Sequence, residues 1–161
     1  MGQVVRIFLL LDHIMRRKNI VERLVTWQLH GFNAIPRFIL TLLGVEIPKS
    51  VQFADKSGGG VKFAHRATGT VIHPNTAIGR NVVIFPNVTI GKSRPWDNTQ
   101  SAGSAVISDD VVLCVGSKVI FGENQLIVGK GTIIGANAVL THSTGENEIW
   151  AGVPAKKIGN R

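Results

Sequence analysis

The apolar residues of this chain keep a period of six. Ile72, Ile78, Ile84 and Ile90 lie six apart, with Gly79 and Gly91 directly after two of them, and the phase returns at Ile107, Leu113 and Val119 and again at Val128, Ile134 and Leu140. A helix face would recur at three and four, and a half-buried strand at two. A fixed six-residue repeat predicts a stacked β-helix in which each hexad is one short strand and a corner. Every strand then turns one branched side chain inward, and successive coils pile these into an apolar column that no single repeat could bury alone. Corners call for small or left-handed-tolerant residues, a need met by Gly79, Asn81, Gly91, Gly129, Gly131, Gly135 and Asn137.

Before the repeat the spacing is helical. Val4, Ile7, Phe8, Leu11, Ile14 and Met15, then Ile20, Leu24 and Trp27, predict helix from residue 3 to about 30, with Gly31 as its C-cap. A second short helix is expected from Pro36 to Leu43, ended by Gly44. The chain thus divides into a helical preface, residues 1–46, and a β-helix domain, residues 47–161. The preface would cap the open first coil against edge pairing, or touch a membrane peripherally through its apolar and basic faces.

The period also breaks in informative places. Val51, Ser57 and Phe63 begin hexads, imperfectly because of Gly58-Gly59-Gly60. From Phe63 to Ile72 the step is nine, so a short insert, Ala64 to Gly69, must bulge from the prism and carries His65. A longer polar insert, Lys92 to Val106 with Trp96 as its one large apolar residue, is expected to leave as a loop. A third break separates Val119 from Val128. Beyond Leu140 the chain is expected to leave the repeat, ending in WAGVPAKKIG.

Composition narrows the picture. The chain has 161 residues, 44% apolar and 17% charged, enough for one domain with a real core. Its net charge is +8, and residues 1–50 hold seven Lys/Arg against three Asp/Glu. That balance suits phosphorylated ligands or anionic membrane surfaces, and without a nucleic-acid motif it gives no reason to invoke nucleic acid. The single Cys114 excludes an intrachain disulfide, fits a reducing compartment and reads as a small packing residue. Phe8 to Leu11 is too short for a secretory h-region and Asp12 interrupts it, so a cytoplasmic protein is expected.

AHRATGTVIHPNTAIG, NVTIGK, IIGANAVL and AGVPAKKIG resemble the hexapeptide-repeat acyltransferases of the serine acetyltransferase type, over residues 47 to 159. The resemblance implies a left-handed parallel β-helix, a homotrimer with active sites between neighbouring subunits, and acetyl-CoA as donor. His65 stands where the family has its catalytic histidine. Acyl transfer to a hydroxyl needs a base as the oxygen attacks, and imidazole titrates near working pH. His73, before Pro74, reads as structural, and His13, His30 and His142 join no constellation. For the donor, the resemblance puts the pantetheine along main chain near Gly91, Gly116 and Ala136. Lys156 and Lys157 would meet CoA phosphates, and backbone N–H groups near Gly91-Lys92 would hold the oxyanion.

Three departures bear on the acceptor. The family's aspartate fifteen residues before the histidine corresponds to Ser50, with Asp55 out of register; the acid just before the histidine is Ala64; its Arg-His pair corresponds to Gly103-Ser104. A zwitterionic amino acid would want those charges. The pattern is more similar to short relatives associated with surface polysaccharides, which implies a sugar hydroxyl as acceptor, near Ser50 and with Trp96 as an aromatic platform. L-serine is the alternative acceptor, and a non-enzymatic scaffold the third reading. A γ-class carbonic anhydrase would need three histidines in register, which the chain lacks, so no metal is expected.

Overall fold

The structure is a computed structural model and describes residues 18–31, 34–55, 57–97 and 103–161. Its strands lie on three faces. The first face stacks β1 (Gln52–Phe53), β4 (Thr76–Ile78), β7 (Ala105–Ile107) and β10 (Leu126–Val128). The second stacks β2 (Lys62–Phe63), β5 (Val83–Ile84), β8 (Val112–Leu113), β11 (Ile133–Ile134) and β13 (Glu148–Ala151), with β14 (Lys156–Asn160) beyond it. The third stacks β3 (Val71–Ile72), β6 (Thr89–Lys92), β9 (Lys118–Phe121) and β12 (Val139–Leu140). The chain visits them in rotation, and every stacked pair is parallel except β13–β14. Three hexads close one coil, so Thr89 pairs with Val71, eighteen residues earlier.

The ten periodic residues form the column that the repeat demands: none from Ile72 to Leu140 is more than 2% exposed. Each such aliphatic contributes roughly 1.5–3 kcal/mol by leaving water.

The corners correct the reading of the glycines. Asn81, Gly131 and Asn137 do take positive φ, but Gly79, Gly129 and Gly135 do not. A Cβ on Gly79 would stand 2.7 Å from the Asp109 nitrogen, and one on Gly129 would meet the Gly145 carbonyl. They are small because the next coil's backbone runs against them.

The preface joins the same core through Val21, Leu24, Val25 and Leu40. Its first described helix, Ile20–Leu29, starts at a capping box in which Asn19 and Glu22 bond reciprocally, and Gly31 follows it at φ +98°. The expected helical stretch before residue 18 lies outside the described residues. The second helix spans Ala34–Leu42, two residues earlier than expected, because Pro36 is tolerated within a first turn whose N–H groups need no intrahelical partner.

Three further expectations shift. Ser57 does not enter the core; its N–H bonds the Asp55 carboxylate at 2.8 Å on an exposed loop. The long insert is shorter than expected, since Lys92 ends β6 and Ala105 begins β7. Leu140 does not end the stack: β13 pairs in register with β11, and only β14 turns antiparallel.

Candidate active site

The insert after β2 forms a tight bulge in which His65, Arg66 and Ala67 all have positive φ, at 50°, 63° and 44°. Three successive side-chain-bearing residues there are strained and persist because the surroundings over-determine them. Ala67 is fully buried, and Asn87 N–H donates to the Thr68 carbonyl at 2.9 Å. Just before the bulge, Glu22 accepts from Phe63 N–H at 3.0 Å while Asn19 donates to the Phe63 carbonyl at 2.7 Å. The helix cap thereby supplies the partners that an absent lower strand would have given Phe63. The His65 ring is left exposed, with its centroid 6.2 Å from Phe85 and tilted 49°. Among the described residues, no side chain is hydrogen-bonded to it.

His65 stands on the edge between the second and third faces. Ala64, Phe85, Cys114 and Gly135 follow registered residues of β2, β5, β8 and β11, so they stack along it. Gly116 and Ala136 share this edge. Gly116 is required by the fold, with φ +69° and the Asn137 amide where its Cβ would be. Cys114 is half-buried, and burial pushes its thiol up, as suits a packing residue. Lys156 and Lys157 lie on β14, at the opposite end of the second face from β2. Six strands put about 24 Å between those ends. Lys157 is engaged: its ammonium meets Glu148 at 2.8 Å, and this bond, with that from Trp150, holds the carboxyl below the usual range.

The remaining candidates sit on the edge between the third and first faces. His73 N–H donates to the Ile90 carbonyl, placing the ring under Gly91, with its edge on Phe121 at 5.0 Å. Its Nδ1 accepts from Asn75 N–H at 3.1 Å. Burial and then the Lys92 ammonium hold its pKa below the ordinary imidazole range. The nitrogen facing Asn75 is thus occupied as an acceptor, which suits the structural reading of His73. Lys92 Nζ donates to the Asp97 carbonyl at 2.9 Å, tying down the loop on which Trp96 is 77% exposed. Gly91 has ordinary φ and 3.8 Å of room for a Cβ, so nothing in the fold demands glycine there. A pocket of about 260 Å³ joins Lys92 and Arg94 with Glu123.

Beside this edge, on the first face, runs a groove of about 390 Å³ lined by Ser50, Gln52, Asn75, Thr76, Ser104 and Gln125, with no charged side chain. Ser50 Oγ donates to the Pro74 carbonyl at 3.3 Å.

Two acids lie near this part of the chain, one out of register as expected and one that the count along the chain passed over. Asp55 accepts from Ser57 and Gly59 and is held low chiefly by the Ser57 hydroxyl, so it serves its own turn. Glu46, one coil below at the His65 edge, bridges Val71 and lines a cavity of about 430 Å³ with Arg37 and Thr41. The glycine loop lengthens that coil, so a count of fifteen lands on Ser50; the phrase Val45-Glu46-Ile47-Pro48 was the available signal. Among the described residues, no three His, Cys, Asp or Glu side chains gather where they could hold a metal ion.

No family model and no curated protein matches the chain. Its solved structural neighbours are serine acetyltransferases. That of Brucella abortus strain S19 has TM-score 0.67 and 24% identity, over 87% of this chain and 55% of its own. The same enzyme in complex with coenzyme A has TM-score 0.65 and 23% identity, over 87% and 54%. That of Neisseria gonorrhoeae in complex with serine has TM-score 0.65 and 22% identity, over 86% and 54%. The chain therefore spans little more than half the length of these neighbours. At such identities the likeness is one of fold: a left-handed parallel β-helix of hexapeptide repeats. The left-handed crossovers depart from the usual handedness of parallel connections.

Proposed function

We propose that the chain is an acetyl-CoA-dependent O-acetyltransferase acting as a homotrimer, with residues 47–161 carrying the transfer and residues 1–46 serving as cap and peripheral membrane contact. The acceptor oxygen attacks the thioester carbonyl while an unprotonated ring nitrogen of His65 takes its proton; the tetrahedral intermediate then collapses, and the departing CoA sulfur recovers that proton. Backbone N–H groups by Gly91-Lys92 are the candidate oxyanion donors. The small outer surface of Gly91, unexplained by the fold, and the cations Lys92 and Arg94 support a donor along the third–first edge. Ala136 stands on the His65 edge, and Lys156 at the far end of the prism is the cation left for a phosphate at the end of the pantetheine arm.

The observation that carries the reading is the division of these groups. The base is on one edge and Gly91, Lys92 and Trp96 are on another, so a complete site needs two copies of the chain. Mixing tests this. His65→Asn alone and Lys92→Glu with Trp96→Ala should each be inactive. Co-refolded, they should regain about a quarter of the wild-type activity, the share of mixed sites in a random cyclic trimer. Absence of regained activity in verified mixed trimers would remove the shared site.

For the acceptor, the uncharged groove at Ser50 supports a neutral sugar hydroxyl with Trp96 as platform. L-serine is the second reading, favoured by the solved neighbours, one of which holds serine. A screen of acetyl-CoA with L-serine and with free and nucleotide-linked sugars, following thiol release, separates the two. Release with neither, joined to absence of CoA binding, would favour a scaffold.

A further inference from the structure

We propose that helix Ala34–Leu42 docks the protein on an anionic lipid bilayer through the apolar stripe Ile35, Phe38 and Leu42. The inference rests on the membrane contact proposed above but not on the transfer reaction.

The helix is apolar on two sides. At about 100° per residue, Pro36, Ile39, Leu40 and Leu43 point one way, and Pro36 and Leu40 are buried against the core. Ile35, Phe38 and Leu42 share an adjoining arc about 60° wide and are 68%, 65% and 70% exposed. Burying the inner stripe accounts for the fold. It does nothing for the outer one, whose exposure costs solubility unless something covers it. Among the outward aliphatics of the prism, Val83, Val112 and Ile133 are half-buried and Val71 and Ile127 are 40% exposed, while on the tail strand Ile158 alone reaches 67%.

Charge selects the occupant. Arg37 is exposed on the helix itself, about 100° round from Phe38, beside the cavity at Glu46, and its long stem lets the guanidinium reach toward headgroup phosphate. Residues 1–50 carry a surplus of four positive charges in a chain of +8, and an anionic surface attracts such a surplus. No described helix is long and apolar enough to cross a membrane. A short amphipathic helix with one outward apolar stripe, one cation and no acid is of the form that lies in the interface plane. Trp27, 44% exposed on the preceding helix, is of the residue type that sits at that level.

The test is vesicle pelleting of the full chain. With vesicles of equal parts phosphatidylcholine and phosphatidylglycerol the protein should pellet, and with phosphatidylcholine alone it should stay largely in the supernatant. Ile35→Ser with Phe38→Ser and Leu42→Ser should reduce pelleting by about tenfold or more, with circular dichroism and sedimentation unchanged. Arg37→Gln should weaken binding about fivefold, and less at high salt. If the triple variant loses its fold, Phe38→Ser alone is read in the same way. Failure of the full chain to pellet, or undiminished pelleting of the folded variant, overturns the proposal. So does a lower sedimentation coefficient of the variant without lipid, which would make the stripe a contact between copies.

Discussion

The two edges bearing candidate chemistry are built differently. On the second–third edge, Gly69, Asn87, Gly116 and Asn137 stand one above another, all with positive φ, and each N–H is bonded to the coil below. That edge has one irregularity, the bulge presenting His65. The corresponding residues of the third–first edge, Ser50, Asn75, Ser104 and Gln125, have no positive φ. There the coils depart from eighteen: Lys118 comes twenty-nine residues after Thr89, and Val139 twenty-one after Lys118. The longest insertion, between Lys92 and Ala105, goes where the corner carries no positive-φ requirement. A base needs fixed placement and a specificity surface needs room to vary; the proposed site takes each from the edge suited to it.

Substitutions can break this contrast. The largest effect is expected at the base: His65→Asn should lower kcat by about 10²–10⁴-fold with sedimentation unchanged, and a fully active variant would remove His65 from the mechanism. Next come two glycines of opposite meaning. Gly116→Ala must hold φ +69° with its Cβ against the Asn137 amide oxygen, and should cost about 1–3 kcal/mol in denaturant unfolding. Gly91→Ala should leave stability nearly unchanged but raise KM for acetyl-CoA, and equal destabilisation of the two would erase the distinction. Trp96→Ala should raise KM for a sugar acceptor several-fold more than for acetyl-CoA; efficient saturable use of L-serine, indifferent to this change, would turn the acceptor assignment to serine.

The smallest effect concerns the tail. Glu148 has a lowered pKa in the folded chain, so its contribution is present above its ordinary value of 4.5 and is lost as pH falls through the folded value. Thermal melts should show wild type losing its advantage over Glu148→Gln on acidification. A gap independent of pH would assign the residue a packing role alone.

What the sequence revealed follows from which forces are periodic. Ile84 and Leu113 were legible because an inward column repeats every hexad whatever lies outside it. His65 was legible as an interruption of that count. Allocation to edges was not, because six-residue phase alone does not distinguish three equivalent corners. Counting back by eighteen from Thr89 reaches Val71 and sets Gly91 on a third-face strand, but the insert before Ala105 breaks the count, so Gly116 could not be placed that way. Gly79 was named for the wrong reason, since approach of another coil is a long-range fact. The Asn19–Phe63 clamp spans forty-four residues and leaves no local mark.

Gly69 with Asn87 and Gly116 with Asn137 form two complementary pairs along the second–third edge. In each, the asparagine amide occupies the space its glycine neighbour leaves open, so a side chain added at the glycine must displace the asparagine above it. The stack also takes like on like: Gly69 N–H bonds the Gly44 carbonyl below it, and on the first–second edge Asn81 donates to Asp110. The two members of a pair are therefore expected to change together, and loss of the asparagine frees its glycine to vary only as far as a positive φ allows.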